Sequence, residues 1–171
     1  STLADRLLDF IWENRNFADK YTKVLLDEKF PNNGITFNSS NWSLSNSLNL
    51  NSDDYVSWGW EAAGQSFDLS SMRIQYDRSG SGPTSVSIAV SIDGGSFQEI
   101  FTNNSVSQGD EEETLDLLAF TNVSSAEFRI FGYDAASSGG TLDLEEFQTT
   151  PSRSIEIRGF AVAVPEPATG S

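Results

Sequence analysis

From Ile35 onward, apolar and polar residues alternate with a period of two. The clearest example is residues 84–93, where Val86, Ile88, Val90 and Ile92 alternate with serine and alanine. This alternation is typical of a strand with one face in a core. Six further segments have the character of strands: SMRIQY (71–76), FQEIF (97–101), TLDLLAF (114–120), SAEFRIFGY (125–133), TLDLEEF (141–147) and RSIEIRGFAV (153–162).

Turn-forming sequences separate these segments. Asp93-Gly94-Gly95 predicts a hairpin turn, and the other connections are rich in Ser, Gly and Asn. Seven or more short antiparallel strands joined in this way predict an all-β fold, a jelly-roll-like β-sandwich. We assign the sandwich to residues 35–163 and treat residues 164–171 as a tail.

The first 30 residues follow a different pattern. Apolar residues recur there at steps of three and four, which predicts an amphipathic helical segment over residues 1–30. Leu8, Trp12 and Leu26 fall outside its main apolar face, so a helix packed on its own sandwich would leave them exposed. They are candidates for an assembly contact with a neighbouring subunit; the alternative is a wider contact with the same domain.

Composition excludes several classes of function. The 25 acidic and 10 basic residues give a net charge of −15, which repels nucleic acid. The chain has no cysteine and no histidine, so thiol nucleophiles, Ser-His triads and most zinc or copper sites are excluded. Abundant carboxylates leave calcium as the one cofactor worth considering.

Near its end the chain reads Val164-Pro165-Glu166-Pro167, directly after the last predicted strand. Together with the FRIFGYDAASSGGT stretch (128–141), this motif resembles exported bacterial proteins with a PEP-CTERM sorting signal. The resemblance covers roughly residues 67–168. It implies export across the inner membrane, processing of the precursor by an exosortase-type enzyme, and an extracellular or cell-surface location. The signal peptide and hydrophobic span of such precursors are missing here, so we expect a mature chain processed at both ends.

Two places could bind a cation. Asp134, Asp143 and Glu145 flank the AASSGG loop and are the candidate metal ligands, with calcium as the ion. Asp110-Glu111-Glu112-Glu113 is the densest acidic run. We interpret this run as a solvated loop, with a calcium site as the alternative.

Aromatic residues cluster early in the sandwich. Trp42, Tyr55, Trp58 and Trp60 are candidates for a platform on which sugar rings stack. The competing interpretation is that Trp58 and Trp60, two apart in a strand, share a face and fill one end of the core.

Two functions follow from these observations. The first is a non-catalytic structural protein of the bacterial extracellular matrix or biofilm, a self-assembling fibre or surface-layer subunit whose partner is itself. The alternative is a module that binds exopolysaccharide, with or without calcium. We expect no enzymatic activity, and a polysaccharide hydrolase is the third hypothesis.

Overall fold

The chain forms nine strands in the computed structural model, which describes residues 37–61, 64–145, 147 and 155–162. All the pairings between these strands are antiparallel, so the predicted all-β architecture is confirmed. In chain order the strands are β1 (Phe37–Ser39), β2 (Tyr55–Glu61), β3 (Phe67–Arg78), β4 (Pro83–Ile92), β5 (Gln98–Asn103), β6 (Glu111–Asp116), β7 (Ser125–Ala135), β8 (Leu142–Leu144) and β9 (Ile155–Ala161).

The strands form two sheets. The five-stranded sheet has the order β1-β8-β3-β6, with β9 paired to β3 beside β8, and the four-stranded sheet has the order β2-β7-β4-β5. Thus β1 pairs with β8, β2 with β7, β3 with β6 and β4 with β5. This nested pairing is that of a jelly roll. It leaves β5 and β6 as edge strands of the two sheets.

The inward-facing side chains of both sheets form one buried cluster. It joins Met72 and Ile74 of β3 to Ile88 of β4 and Phe128 of β7. Trp58 stacks on Phe128 with ring centroids 5.9 Å apart. Burial of these alternating apolar residues is the main source of stability for such a sandwich.

Between Trp58 and Trp60 the backbone of β2 lies very close to β7. A Cβ atom placed on Gly59 would lie 1.9 Å from the carbonyl oxygen of Ala126. Only glycine fits this position, because any larger residue would push the two strands apart. Gly59 therefore allows β2 to lie this close to β7.

The predicted hairpin is confirmed. Asp93 and Gly94 have φ angles of 50° and 74°, and the Gly95 N–H donates to the Ile92 carbonyl oxygen at 2.9 Å. Two positive φ angles in succession define a type I′ turn, which the Asp-Gly sequence favours.

The prediction that the acidic run forms a solvated loop is wrong for most of its residues. The strand predicted at residues 114–120 begins and ends earlier. Glu111, Glu112 and Glu113 lie in β6, and residues 117–120 form a turn closed by Phe120 N–H and the Leu117 carbonyl oxygen at 3.0 Å. Pairing with β3 explains the shift, because Arg73 of β3 forms a two-bond ion pair with Glu112.

Several predictions concern residues outside the described part of the chain. These are the helical segment 1–30, its candidate assembly residues Leu8, Trp12 and Leu26, and the sorting motif Val164, Pro165, Glu166 and Pro167. Between β1 and β2 the described residues form bends and turns. Asn49 and Asp53 close one of them, with backbone N–H of Asn49 donating to the Asp53 carboxylate at 2.8 Å.

Candidate functional site

The outward face of the four-stranded sheet is shallow along β4, because the side chains there are small. On this face β4 presents small side chains, including Ser87, Ala89 and Ser91. Ala89 lies opposite Arg129 of β7 on one side and opposite Glu99 of β5 on the other. Because alanine is small, a long side chain from β7 can lie across β4 and contact residues beyond it.

Arg129 uses this space. Its guanidinium carbon lies 4.0 Å from the centre of the Tyr55 ring and 3.9 Å from the centre of the Phe97 ring. Its Nε donates to Glu127 Oε1 at 3.0 Å. We call Tyr55, Phe97, Glu127 and Arg129 the arginine platform.

The arginine platform is accessible to ligands in part. Tyr55 is 42% exposed, and the side chains of Arg129 and Glu127 are 20% and 29% exposed. Two cation–π contacts and an ion pair fix the rotamer of Arg129, since each restricts a different part of the side chain. The platform thus presents the exposed part of the Tyr55 ring together with hydrogen-bond donors and acceptors in a fixed arrangement.

The glycan platform predicted from Trp42, Tyr55, Trp58 and Trp60 requires correction. Trp42, Trp58 and Trp60 are only 4%, 5% and 1% exposed and belong to the buried cluster. Alternation along β2 turns Trp58 and Trp60 inward, and Trp42 packs against the backbone at Gly132. Tyr55 alone of the four lies at the surface.

Sequence reasoning missed Phe97 and Arg129. A signal existed for Arg129, which is the only basic residue between Arg78 and Arg153 and stands two residues after Glu127 in a predicted strand. Residues two apart in a strand share a face, so this ion pair was predictable. Phe97 gave no such signal, because its contact with Arg129 depends on the order of the strands.

A cleft lies between the edge strands β5 and β6, where the sandwich is open at its side. It has a volume of about 410 Å³. Its lining comes from Phe101, Thr102, Asn103, Asn104 and Ser105 on one side and from Glu111 and Glu113 on the other. We call it the β5–β6 cleft.

Carboxylates gather on the outward face of the five-stranded sheet. Oxygen atoms of Asp77, Asp110 and Glu145 lie within 4.8 Å of one another, and Asp143 lies opposite Asp77 in the pairing of β3 with β8. Burial, repulsion from Glu145 and Asp143, and a hydrogen bond with Asp110 raise the pKa of Asp77 to about 7. Near neutral pH this acidic cluster therefore holds a proton in part of the molecules.

The acidic cluster differs from the predicted metal site. Asp143 and Glu145 lie beside Asp77, but Asp134 belongs to the other sheet, where its carboxylate accepts from Thr84 Oγ1 at 2.9 Å. Asp110 belongs to the acidic run, whereas Asp77 was not predicted. Strand pairing joins β3 to β8, and the sequence alone does not show which strands pair.

Among the described residues, no helix is long and apolar enough to cross a membrane.

No protein-family model matches the chain, and no curated protein matches it. Similar solved structures include a mutant of a family 29 carbohydrate-binding module, which is 13% identical, with 72% of this chain and 92% of that chain covered and a TM-score of 0.37.

Two mutants of a family 29 module are similar in the same way. One, in complex with cellulohexaose, is 15% identical, with 75% of this chain and 93% of that chain covered and a TM-score of 0.35. The other, in complex with mannohexaose, is 15% identical, with 72% of this chain and 92% of that chain covered and a TM-score of 0.35. Because these identities and TM-scores are low, the likeness carries no argument about the function of this chain.

Proposed function

We propose that this chain is a non-catalytic carbohydrate-binding module that holds a neutral polysaccharide on the arginine platform. The observation that carries the proposal is the guanidinium of Arg129, held between the rings of Tyr55 and Phe97 on the outward face of the four-stranded sheet. The proposal therefore favours a carbohydrate-binding module over a self-assembling structural subunit.

The chemistry of the platform suits a sugar ring. A pyranose has faces of C–H groups and an edge of hydroxyl groups, so the exposed ring of Tyr55 can cover a face while charged groups bond the edge. Arg129 supplies donors and Glu127 supplies acceptors, and hydrogen bonds to charged groups are the stronger kind. Because Arg129 is already held in place, binding orders few additional groups.

The charge of the chain limits the kind of polysaccharide. With a net charge of −15, the protein repels polymers rich in uronic acids, sulfate or phosphate at low salt. Neutral hexose polymers carry no such penalty. The proposed ligand is therefore a neutral polysaccharide.

Replacing Tyr55 by alanine tests the proposal. We expect Tyr55→Ala to weaken binding to a neutral polysaccharide by about 10-fold, since an interfacial aromatic side chain commonly contributes more than 1 kcal/mol. Affinity electrophoresis through gels containing soluble glucans, mannans or galactans measures this effect. Leu118→Ala is the matched control, because Leu118 is 64% exposed in the turn after β6. Failure of all three polymer classes to retard the wild-type chain would overturn the proposal.

We further propose that the chain acts outside the cytoplasm, where exopolysaccharide is available as a partner. The support for export is the Val164-Pro165-Glu166-Pro167 motif. Cell fractionation of the native bacterium should recover the chain from the medium or the cell surface, and recovery from the cytoplasm would contradict export. Within the described residues, nothing favours a fibre or surface-layer subunit.

A further inference from the structure

Two glutamates occupy positions of β6 where a sandwich normally places apolar residues. Glu111 lies opposite Tyr76 and Glu113 lies opposite Ile74 in the pairing of β3 with β6. Both Tyr76 and Ile74 are fully buried between the sheets. Residues opposite each other in an antiparallel pair point to the same face, so both carboxylates point to the inner side. There they line the β5–β6 cleft.

The two carboxylates differ in the hydrogen bonds that they accept. Glu111 Oε2 accepts hydrogen bonds from Asn103 Nδ2 at 3.2 Å and from the Ser107 backbone N–H at 3.0 Å. Glu113 is half-buried and makes no hydrogen bond or ion pair with any described residue. Partial burial and the neighbouring charge of Glu111 both raise the pKa of Glu113.

The two arginines of β3 are engaged elsewhere. Arg73 lies on the outward face of the same sheet, where it pairs with Glu112 and stacks on Phe147. Arg78 donates to the carbonyl oxygens of Val106, Ser79 and Gly80. In the part of the chain that the structure describes, the β5–β6 cleft therefore has two carboxylates and no basic side chain in its lining.

We propose that the β5–β6 cleft binds an amino sugar, with the free ammonium group of the sugar at Glu113. The rest of the lining suits the sugar ring, since Phe101 can contact its C–H groups and the polar side chain of Asn103 lies beside Glu111 on the same inner side. A volume of about 410 Å³ lies in the range of small-ligand sites. This site shares no residue with the arginine platform, so the inference does not depend on the function proposed above.

The lining favours an ammonium group over a metal ion. Calcium takes about six to eight oxygen ligands, commonly with several carboxylates among them. The β5–β6 cleft offers two carboxylates, and one oxygen of Glu111 already accepts two hydrogen bonds. A primary ammonium group needs only three acceptors, which Glu113, Glu111 and a hydroxyl or amide oxygen can provide.

Isothermal titration calorimetry with a glucosamine oligomer tests the proposal on the full chain. We expect Glu113→Gln to weaken binding at least 10-fold, because the substitution removes the charge and keeps the shape. Glu112→Gln is the matched control, since it removes the same charge from the outward face of the same strand. The N-acetylated oligomer lacks the ammonium group and is expected to bind at least 10-fold more weakly than the free amine.

Three outcomes would overturn the inference. The first is an equal loss of affinity in Glu113→Gln and Glu112→Gln, which indicates only general attraction to an acidic protein. The second is equal binding of the free and N-acetylated oligomers. The third is spermidine binding as tightly as the amino sugar. Tyr55→Ala should leave binding of the glucosamine oligomer unchanged, since Tyr55 lies on the arginine platform. Chemical shift changes on titration should include the backbone amides of Asn103 and Asn104.

Discussion

Asp77 is the residue whose replacement most directly tests the acidic cluster. Its carboxyl group lies close to those of Asp110, Glu145 and Asp143. Its pKa is raised to about 7 from an ordinary value of 3.8. Partial burial is the largest cause, followed by the charges of Glu145 and Asp143. The folded protein therefore binds a proton that the unfolded chain has released above about pH 4.

The sign of the effect follows from this difference. Stability contributed by protonated Asp77 is fully present below pH 3.8 and is lost as the pH rises through about 7. For a fully buried group, a difference of this size corresponds to roughly 4 kcal/mol at about 1.4 kcal/mol per pKa unit. Because Asp77 is only half-buried, solvent screening reduces this figure. We expect a change of about 1–2 kcal/mol in the free energy of unfolding.

Asp77→Asn removes the ionisable group and keeps its size. We expect the variant and the wild type to have the same free energy of unfolding near pH 4. Near pH 8 we expect the free energy of unfolding of the variant to be about 1–2 kcal/mol higher than that of the wild type. Urea denaturation followed by tryptophan fluorescence at several pH values measures both curves. Asp54→Asn is the control, since Asp54 is exposed and its loss changes the net charge equally. If the curves of wild type and Asp77→Asn stay parallel from pH 4 to 8, Asp77 is not protonated in the fold and the described clustering is wrong.

Three further predictions concern the core and the arginine platform. Gly59→Ala should destabilise the fold by about 1–3 kcal/mol, because its Cβ would lie 1.9 Å from the Ala126 carbonyl oxygen; an unchanged melting temperature would contradict this close approach. Phe128→Ala should cost about 3–5 kcal/mol in urea denaturation, since Phe128 is fully buried against Trp58, and a loss below about 1 kcal/mol would place it outside the core. Arg129→Lys should weaken polysaccharide binding about 10-fold while changing the free energy of unfolding by less than about 1 kcal/mol, because lysine keeps the charge and loses the planar stack; full binding by the lysine variant would argue against that stack.

The sandwich itself was predictable from local patterns. Alternation over residues 84–93 predicts a strand with one buried face, and the structure has β4 at Pro83–Ile92. Asp93-Gly94-Gly95 predicts a hairpin turn, and the structure has a type I′ turn at this position. Both features depend on a few consecutive residues, so they are visible without knowledge of the rest of the chain.

Charged and aromatic runs were harder to interpret, because residue type alone does not show which side of a strand faces the core. The acidic run lacks apolar residues to mark the buried face, and it forms an edge strand with Glu111 and Glu113 pointing inward. Trp58 and Trp60 are as suitable for a sugar platform as for a core. The packing of the two sheets decides the matter, because both rings lie in the core between them and contact Phe128.

By itself, the sequence determined most of the strand segments after residue 66, the hairpin turn after β4 and the acidic character that disfavours anionic ligands. The tertiary structure decided which side chains are neighbours. Arg129 meets Tyr55 and Phe97 because β7 lies between β2 and β4 and because Ala89 leaves space across β4. The physical reason is that alternation selects the face of a strand, whereas the winding of the chain into nested pairs selects the strand beside it.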